Sequence, residues 1–508
     1  MSGSPPPALT DHKRIGCRAY IARPMRLAAM LAALCLTASS QPAQAAGGPP
    51  TIVLIVVDTV RADHVTCYGY ARPTSPSSCA LGKEGVIFDR AYTTRTQTVP
   101  AISSILTGLY PYRHGVRNNY SVLPEAMTTL AERLRAQGYK TGGFVSSFVM
   151  VRDFSGLDQG FDRYDDFVHT REPFRENYER PARATVDRAL SWLDAAGSRA
   201  FLFVHLIEPH GPYTPPSPFL ERFALPAKGR LVPLDQVPDY QRIPGIRFVS
   251  EYVGRYDGEI ASADAQIGRL LAHLRKSGRY GPALIILTAD HGESQGEHGR
   301  WFEHGRSVGD HETHVPLLIK FPDRTAPPKG KRVTEPVSLV DIVPTVLAAA
   351  GLTDAAHNLP GVDLRALADG RPRGTPAPLT ERLRRGRLTI AVHGRDCMLT
   401  WVASEAALAK QVGGTHSAVR SRWPALAKRS RWSPKQASPS CRTELTRAVT
   451  PLMADLLTFK LQVPVASRRR EMHAPGRRSR FVAARGMGPV VPLKEHEREA
   501  LRALGYLQ

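Results

Sequence analysis

Three apolar runs constrain this chain more than any other feature. Residues 51–57 read TIVLIVV and lead into Asp58; residues 201–207 read FLFVHLI and lead into Glu208-Pro209-His210; residues 283–287 read ALIIL and lead into Thr288-Ala289-Asp290-His291-Gly292. Continuous apolar, β-branched runs without polar alternation are expected of strands covered on both faces in a parallel sheet. Each run delivers ionisable residues just past its carboxyl end, the edge of an open α/β sheet where ligand sites form. Helix-like stretches at 127–137, 184–195 and 260–274 lie between them, and in the last Ile260, Ala263, Ile267, Leu270, Leu271 and Leu274 share one face. The alternation predicts an α/β domain with helices on both faces of the sheet. A Pro-rich stretch at 211–244 reads as an irregular insertion, long enough to shape a substrate site.

The ends of the chain have a different texture. Arg23 and Arg26 precede an apolar run at 27–36, and Ala43-Gln44-Ala45 offers a small-x-small cleavage site, so residues 1–45 are expected to be a signal peptide. Export follows, to the periplasm or the medium. Cys35 raises a lipid anchor as a second reading, disfavoured by the bulky Leu34 before it. Cys67, Cys79, Cys397 and Cys441 would remain in the exported chain, and the local pairings Cys67–Cys79 and Cys397–Cys441 are favoured over free thiols. The formal net charge is +22, and the excess lies past residue 370. A catalytic domain at 46–370 is therefore expected to be followed by a small subdomain at 371–465, holding a hairpin at 387–392 and 397–402 and a helix at 452–461. A basic linker and terminal helix at 466–508 would close the chain. Without a recognisable nucleic-acid motif, the basic tail is read as a solvated extension that meets anionic envelope polymers peripherally.

The chemistry centres on TVPAISSILTG at residues 98–108. Ile102, Ile105, Leu106 and Leu109 fall on one helical face, Thr98 is an N-cap type, Pro100 suits a first turn, and Gly108 with Pro111 stops the helix. A hydroxyl is thus held where unpaired N–H groups attract an anion. Asp58, Thr98, Asp290 and His291 together make an oxygen- and nitrogen-rich set for one divalent metal ion, zinc or manganese favoured and calcium third. A cation beside the Thr98 hydroxyl would ease loss of its proton. His210 and His304 could bind the anionic group or protonate a leaving oxygen.

The ordered segments IVLIVVDTVRADHVTCYGY, TVPAISSILTGLYPYRHGV, FLFVHLIEPHGPY, YDGEIASADAQIGRLL, LTADHGES and HGRSVGDHETHVPLLI resemble the sulfatase family of the alkaline phosphatase superfamily. The resemblance covers about residues 50–370 and recurs weakly in LRALGY. It implies an alkaline-phosphatase-like, mixed but mostly parallel sheet with a small C-terminal α+β subdomain, and hydrolysis of anionic esters. Asp58 matches the first-strand metal ligand and Asp290 with His291 the late-strand pair. His210 matches a substrate-pocket histidine, His304 falls where relatives place lysine or histidine, and Asn118 and Asn119 lie near a substrate-contact position. His64, His205, His298, His311 and His314 have no such match and are read as structural or as supporting the ligands from behind, and Arg61 and Asp63 as structural.

Two departures bear on mechanism. Thr98 stands where sulfatases carry the Cys or Ser oxidised to formylglycine, and Ile102 stands where they carry arginine. Oxidation of threonine gives only a ketone, which hydrates poorly, so formylglycine is not expected. Threonine nucleophiles occur in superfamily relatives acting on phosphorus, and His291 points the same way. The dinuclear relatives need a second aspartate and histidine set, whereas the stretch after Ile207 offers His210 and Thr214, so one metal is expected. The first reading is a hydrolase of sulfuric or phosphoric esters, its substrate carried on a glycan or a lipid head group. The alternatives are a phosphoryl- or phosphoethanolamine-type transferase acting on envelope glycan or lipid, and a non-catalytic anion-binding relative.

Overall fold

The computed structural model describes residues 50–168, 170–171, 178–373, 377–395, 397–404, 431–433 and 445. The expected leader, Cys441, the helix at 452–461 and the basic segment at 466–508 lie outside the described residues.

The main sheet has eight strands: β1 (Ile52–Val57), β2 (Val86–Phe88), β3 (Lys140–Phe144), β4 (Arg163–Asp165), β5 (Ala200–Leu206), β6 (Leu284–Ala289), β7 (Leu317–Lys320) and β8 (Lys331–Val333). Their order is β8-β2-β7-β6-β1-β5-β3-β4. Only β7 runs against its neighbours, so the sheet is mixed and mostly parallel. The three apolar runs are β1, β5 and β6, side by side. Ile52 is level with Phe201 and Leu284, and Val57 with Leu206 and Ala289. This register brings Asp58 and Asp290 to one edge. Every residue of β1 is buried, and alternate strand residues face opposite sides, so both faces are covered. Each such side chain contributes about 1.5–3 kcal/mol on burial.

Five helices matter for the site: α1 (Pro76–Glu84), α2 (Thr98–Thr107), α3 (Ala182–Ala195), α4 (Val249–Lys276) and α5 (Ile342–Ala349). The stretch at 127–137 yields only a short helix, Leu130–Arg135, begun by a Thr129/Glu132 capping box. By contrast α4 starts three turns before the expected 260. Its first half carries tyrosines, glycines and acids rather than an apolar stripe, because the insertion after His210 lies directly on it. A Cβ at Gly254 would meet the Phe223 carbonyl oxygen at 2.6 Å. The insertion is irregular apart from short turns at Phe219–Arg222 and Asp239–Gln241. Cys67 and Cys79 are disulfide-bonded, and Cys397 is in a disulfide as well.

The expected C-terminal hairpin forms the middle of an antiparallel sheet, β9 (Leu379–Arg384), β10 (Arg387–His393), β11 (Met398–Ser404) and β12 (Arg431–Ser433). β9 docks beside the segment leading to α2: Glu381 N–H donates to the Thr94 carbonyl at 2.9 Å and Thr380 Oγ1 to the Thr93 carbonyl. Among the described residues no helix is long and apolar enough to cross a membrane.

Candidate active site

At the end of β1, the Asp58 amide donates to the Leu206 carbonyl at 2.9 Å, which aims its side chain past the sheet edge. The carboxylate is fully buried, and neither oxygen has a hydrogen-bond partner. Asp290, past β6, accepts at Oδ1 from the backbone N–H groups of Thr59 (3.1 Å) and His291 (2.8 Å), while its Oδ2 is unpartnered. His291 Nδ1 lies 2.9 Å from the Gly292 carbonyl. A carbonyl only accepts, so Nδ1 carries the proton and Nε2 presents a lone pair. Nε2 lies 3.4 Å from Asp290 Oδ2 and 3.8 Å from Asp58 Oδ1. The ligand atoms of Asp58, Asp290 and His291 lie within 4.8 Å of one another. This donor set could hold a metal ion.

The electrostatics suit a cation beside the two carboxylates. Burial alone would raise Asp58, but the His205, His210 and His291 rings outweigh it and hold it low. Burial and the neighbouring Asp58 push Asp290 up to about 6. Two carboxylates this close resist ionising together, and a cation between them relieves that repulsion. Burial opposes the charged form of His291, yet Asp290 and Asp58 raise it.

Thr98 occupies a different place from the one expected. It is the first residue of α2, with Gln97 before it as the cap, and its side chain caps nothing. Its Oγ1 is buried without a partner. The capping acceptor comes from far along the chain: Asn119 Oδ1 takes the Val99 N–H at 2.9 Å, leaving Asn119 Nδ2 unpartnered. Asn118 instead accepts from Tyr120 N–H and Ser121 Oγ, closing its own turn. Of the two asparagines, Asn119 is the one bonded to the Thr98 helix. Ile102 is fully buried in the hydrophobic core.

The histidines form a chain of rings. His304 lies 4.5 Å from His291 and 5.2 Å from His210, centroid to centroid. His210 donates Nδ1–H to the Gly211 carbonyl at 3.0 Å. Gly305, next to His304, packs on Gln97, where an added Cβ would come within 3.0 Å of the glutamine Cγ. His304 is thereby tied to the start of α2. Burial and the charge of His291 hold His304 well below its ordinary value.

Sequence reasoning missed Glu293. Its fully buried carboxyl lies 3.0 Å from His304 Nδ1 and 3.2 Å from both Tyr213 Oη and Gln241 Nε2. Burial pushes it up to about 8. Its place two residues past His291 was the available signal. His205, read as structural or as supporting a ligand, sits with Nε2 3.5 Å from Asp58 Oδ2. Arg61 spans Asp63, Glu297 and the Glu293 carbonyl, and His64 pairs with Asp257 at 2.8 Å, in keeping with structural roles.

The profile of the family described as Sulfatase matches residues 50–352. The chain belongs to the sulfatase family. Among its relatives is the uncharacterised sulfatase YidJ of Escherichia coli (strain K12), 25% identical over 367 residues, with 64% of this chain and 72% of that protein covered. Human iduronate 2-sulfatase is 24% identical over 409 residues, covering 64% and 74%. In fold the chain resembles the phosphonate monoester hydrolase of Agrobacterium radiobacter, with TM-score 0.58, 21% identity, and 74% and 94% of the two chains covered. It also resembles a protein solved with its substrate D-glucosamine-2-N,6-O-disulfate, with TM-score 0.63, 18% identity, and 81% and 98% covered. The protein is an ester hydrolase of this superfamily.

Proposed function

We propose that this sulfatase-family enzyme hydrolyses sulfuric or phosphoric esters with the Thr98 hydroxyl as nucleophile, beside one divalent metal ion held by Asp58, Thr98, Asp290 and His291. One observation carries the reading: buried, unpartnered donor atoms on Asp58, Asp290 and His291 converge, and Thr98 Oγ1 is likewise buried and unpartnered. Each unsatisfied buried group costs about 1–3 kcal/mol, so a fold that keeps all of them is built around something the side chains do not supply. Two carboxylates, an imidazole and a hydroxyl suit zinc or manganese. Such an ion, when bound, lowers the pKa of a neighbouring hydroxyl and draws charge from the ester.

The chain's own residues do the rest. Thr98 stands at the start of α2, where the helix dipole favours the anionic group under attack. Its oxygen bonds to sulfur or phosphorus as the bond to the ester's leaving oxygen breaks, and the threonine proton passes to that leaving oxygen by way of His304 or His210. Water then cleaves the threonine ester, returning a proton to Thr98 and releasing sulfate or phosphate. The methyl on the threonine Cβ excludes the formylglycine route. Human iduronate 2-sulfatase and the protein solved with a disulfated glucosamine support a sulfated sugar; the phosphonate monoester hydrolase supports phosphorus. The leader at 1–45 assigns the enzyme to the periplasm or the medium.

Metal analysis combined with initial rates on 4-nitrophenyl sulfate, 4-nitrophenyl phosphate and bis(4-nitrophenyl) phosphate tests this. Thr98→Ala is expected to lose about 10³-fold or more of the preferred activity while keeping its metal. Wild-type rates in Thr98→Ala would sink the nucleophile assignment.

A further inference from the structure

One imidazole stands inside the main sheet. The strand β5 reads AFLFVHL, and every one of its seven residues is buried. His205 is the single polar residue among them and is 0% exposed. Neither of its ring nitrogens has a hydrogen-bond partner among the described residues. A buried polar group without a partner works against the fold, and an apolar side chain in the same place would not. Packing alone therefore does not call for a histidine here.

The register of the sheet decides what the ring faces. His205 is level with Val56 on β1, and side chains level on adjacent strands share a face. Asp58, two residues past Val56, comes to that same face, and His205 Nε2 lies 3.5 Å from its Oδ2. The other oxygen, Oδ1, is the one that lies 3.8 Å from His291 Nε2. The two oxygens of Asp58 are thus divided, Oδ1 turned toward His291 and Oδ2 toward His205. A carboxylate oxygen only accepts, so the tautomer of His205 that suits this pair carries its hydrogen on Nε2. A small side-chain rotation closes the gap to the about 2.7–2.9 Å of a charge-assisted bond.

We infer that His205 is a positioning residue for Asp58: its Nε2–H holds Oδ2, and the carboxylate is thereby fixed with Oδ1 as the oxygen offered to a metal ion. The inference rests on the reading that Asp58, Asp290 and His291 hold a divalent ion. Hydrogen bonds to a ligating carboxylate set its orientation and its strength as a ligand. Here the support comes from within the sheet, on a strand that packing holds rigid. The residue after His205 adds a second hold, since the Leu206 carbonyl accepts the Asp58 N–H at 2.9 Å. Two consecutive residues of β5 grip the side chain and the backbone of the same ligand.

The test measures metal affinity of the full chain, stripped with a chelator and titrated with zinc, and in parallel with manganese, against a metal-binding dye. His205→Leu is expected to weaken binding about 10- to 100-fold. His205→Gln brings an amide N–H close to the place of the imidazole Nε2 and should recover most of the affinity. His205→Asn, whose amide reaches only as far as Nδ1, should not. Urea midpoints of the metal-free proteins separate this from a packing role: His205→Leu should unfold at the wild-type midpoint or above it, because it removes an imidazole that lacks partners. Metal held as tightly by His205→Leu as by wild type would overturn the inference. Equal affinities of the Gln and Asn variants would do the same, as would a lowered metal-free midpoint in His205→Leu that accounts for its loss of metal. A drop from two ions per chain to one would make His205 a ligand and also overturn it. Wild type that binds neither ion removes the metal reading itself, whereas wild-type binding that is indifferent to position 205 removes this inference alone.

Discussion

Asn119 offers the sharpest separation of structure from chemistry at this site. Its Oδ1 accepts the Val99 N–H at 2.9 Å in a fully buried setting, and its Nδ2 is an unpartnered donor. Asn119→Ala leaves the Val99 N–H orphaned at the start of α2, a cost of about 1–3 kcal/mol. Asn119→Asp keeps the acceptor and adds negative charge at a helix N-terminus, worth about 0.3–1 kcal/mol in favour. Yet the same change replaces the Nδ2 donor with an anionic oxygen facing an anionic ester. Losing a hydrogen bond to a charged group costs about 1.5–3 kcal/mol, or about 10- to 150-fold in kcat/KM. The two variants therefore order oppositely: the alanine protein unfolds at lower denaturant, whereas the aspartate protein is as stable as wild type and nearly inactive. Urea midpoints and aryl-ester kinetics on both read this directly. An aspartate variant within threefold of wild-type kcat/KM would refute a substrate-facing Nδ2, and an alanine variant with an unchanged midpoint would refute the Val99 bond as the helix anchor.

Glu293→Gln keeps shape but alters the partner of His304 Nδ1, so kcat should fall about 10-fold with KM little changed, and the pH–rate profile should shift; an unchanged profile would show that Glu293 does not act through His304. Glu381→Gln removes the buried anion that lies 3.5 Å from Arg95 and 3.8 Å from Arg117, and breaking such a group is expected to cost about 3–5 kcal/mol, measured as a loss of denaturant midpoint. His114 accepts the Val116 N–H at Nδ1 and lies 3.0 Å from Ser104 Oγ, and burial lowers it to about 3. Below the unfolded value of about 6.5, only the unfolded chain takes up this proton, so stability is present above that pH and is lost as pH falls toward 3. The loss is about 2 kcal/mol at pH 5, and urea midpoints at pH 7 and pH 5 should show it for wild type but not for His114→Gln.

The sequence made the sheet edge legible because β1, β5 and β6 are buried on both faces and so read as unbroken apolar runs ending in Asp58, Glu208 and Asp290. Their register was not legible, since parallel pairing is set by packing between distant segments. The first half of α4 was invisible for a related reason. Its buried face carries Tyr252, Tyr256 and Asp257, satisfied by distant partners such as Ile243, Arg61 and His64, so polar residues stand where an apolar stripe marks a helix. Thr98 showed the limit of local rules. It has an N-cap side chain at a helix start, but the cap position falls on Gln97 and the N–H of Val99 is taken by Asn119, 20 residues on, so the threonine hydroxyl caps nothing. Glu293 carries no periodic signal, and its role becomes visible only when the insertion supplies Tyr213 and Gln241 to its carboxyl.

The C-terminal sheet takes its meaning from the same geometry. Glu381 is fully buried between Arg95, three residues before Thr98, and Arg117, two residues before Asn119. Burial pushes Arg95 down to about 10, and Glu381 offsets part of that cost. Arg95 is bonded onward to the Leu383 carbonyl at 3.2 Å, and the Glu381 amide to Thr94. The two segments that deliver Thr98 and its helix anchor are therefore braced from one strand, β9. A shift of β9 would move Thr98 and Asn119 together, so the start of α2 and the residue that anchors it share one mechanical support.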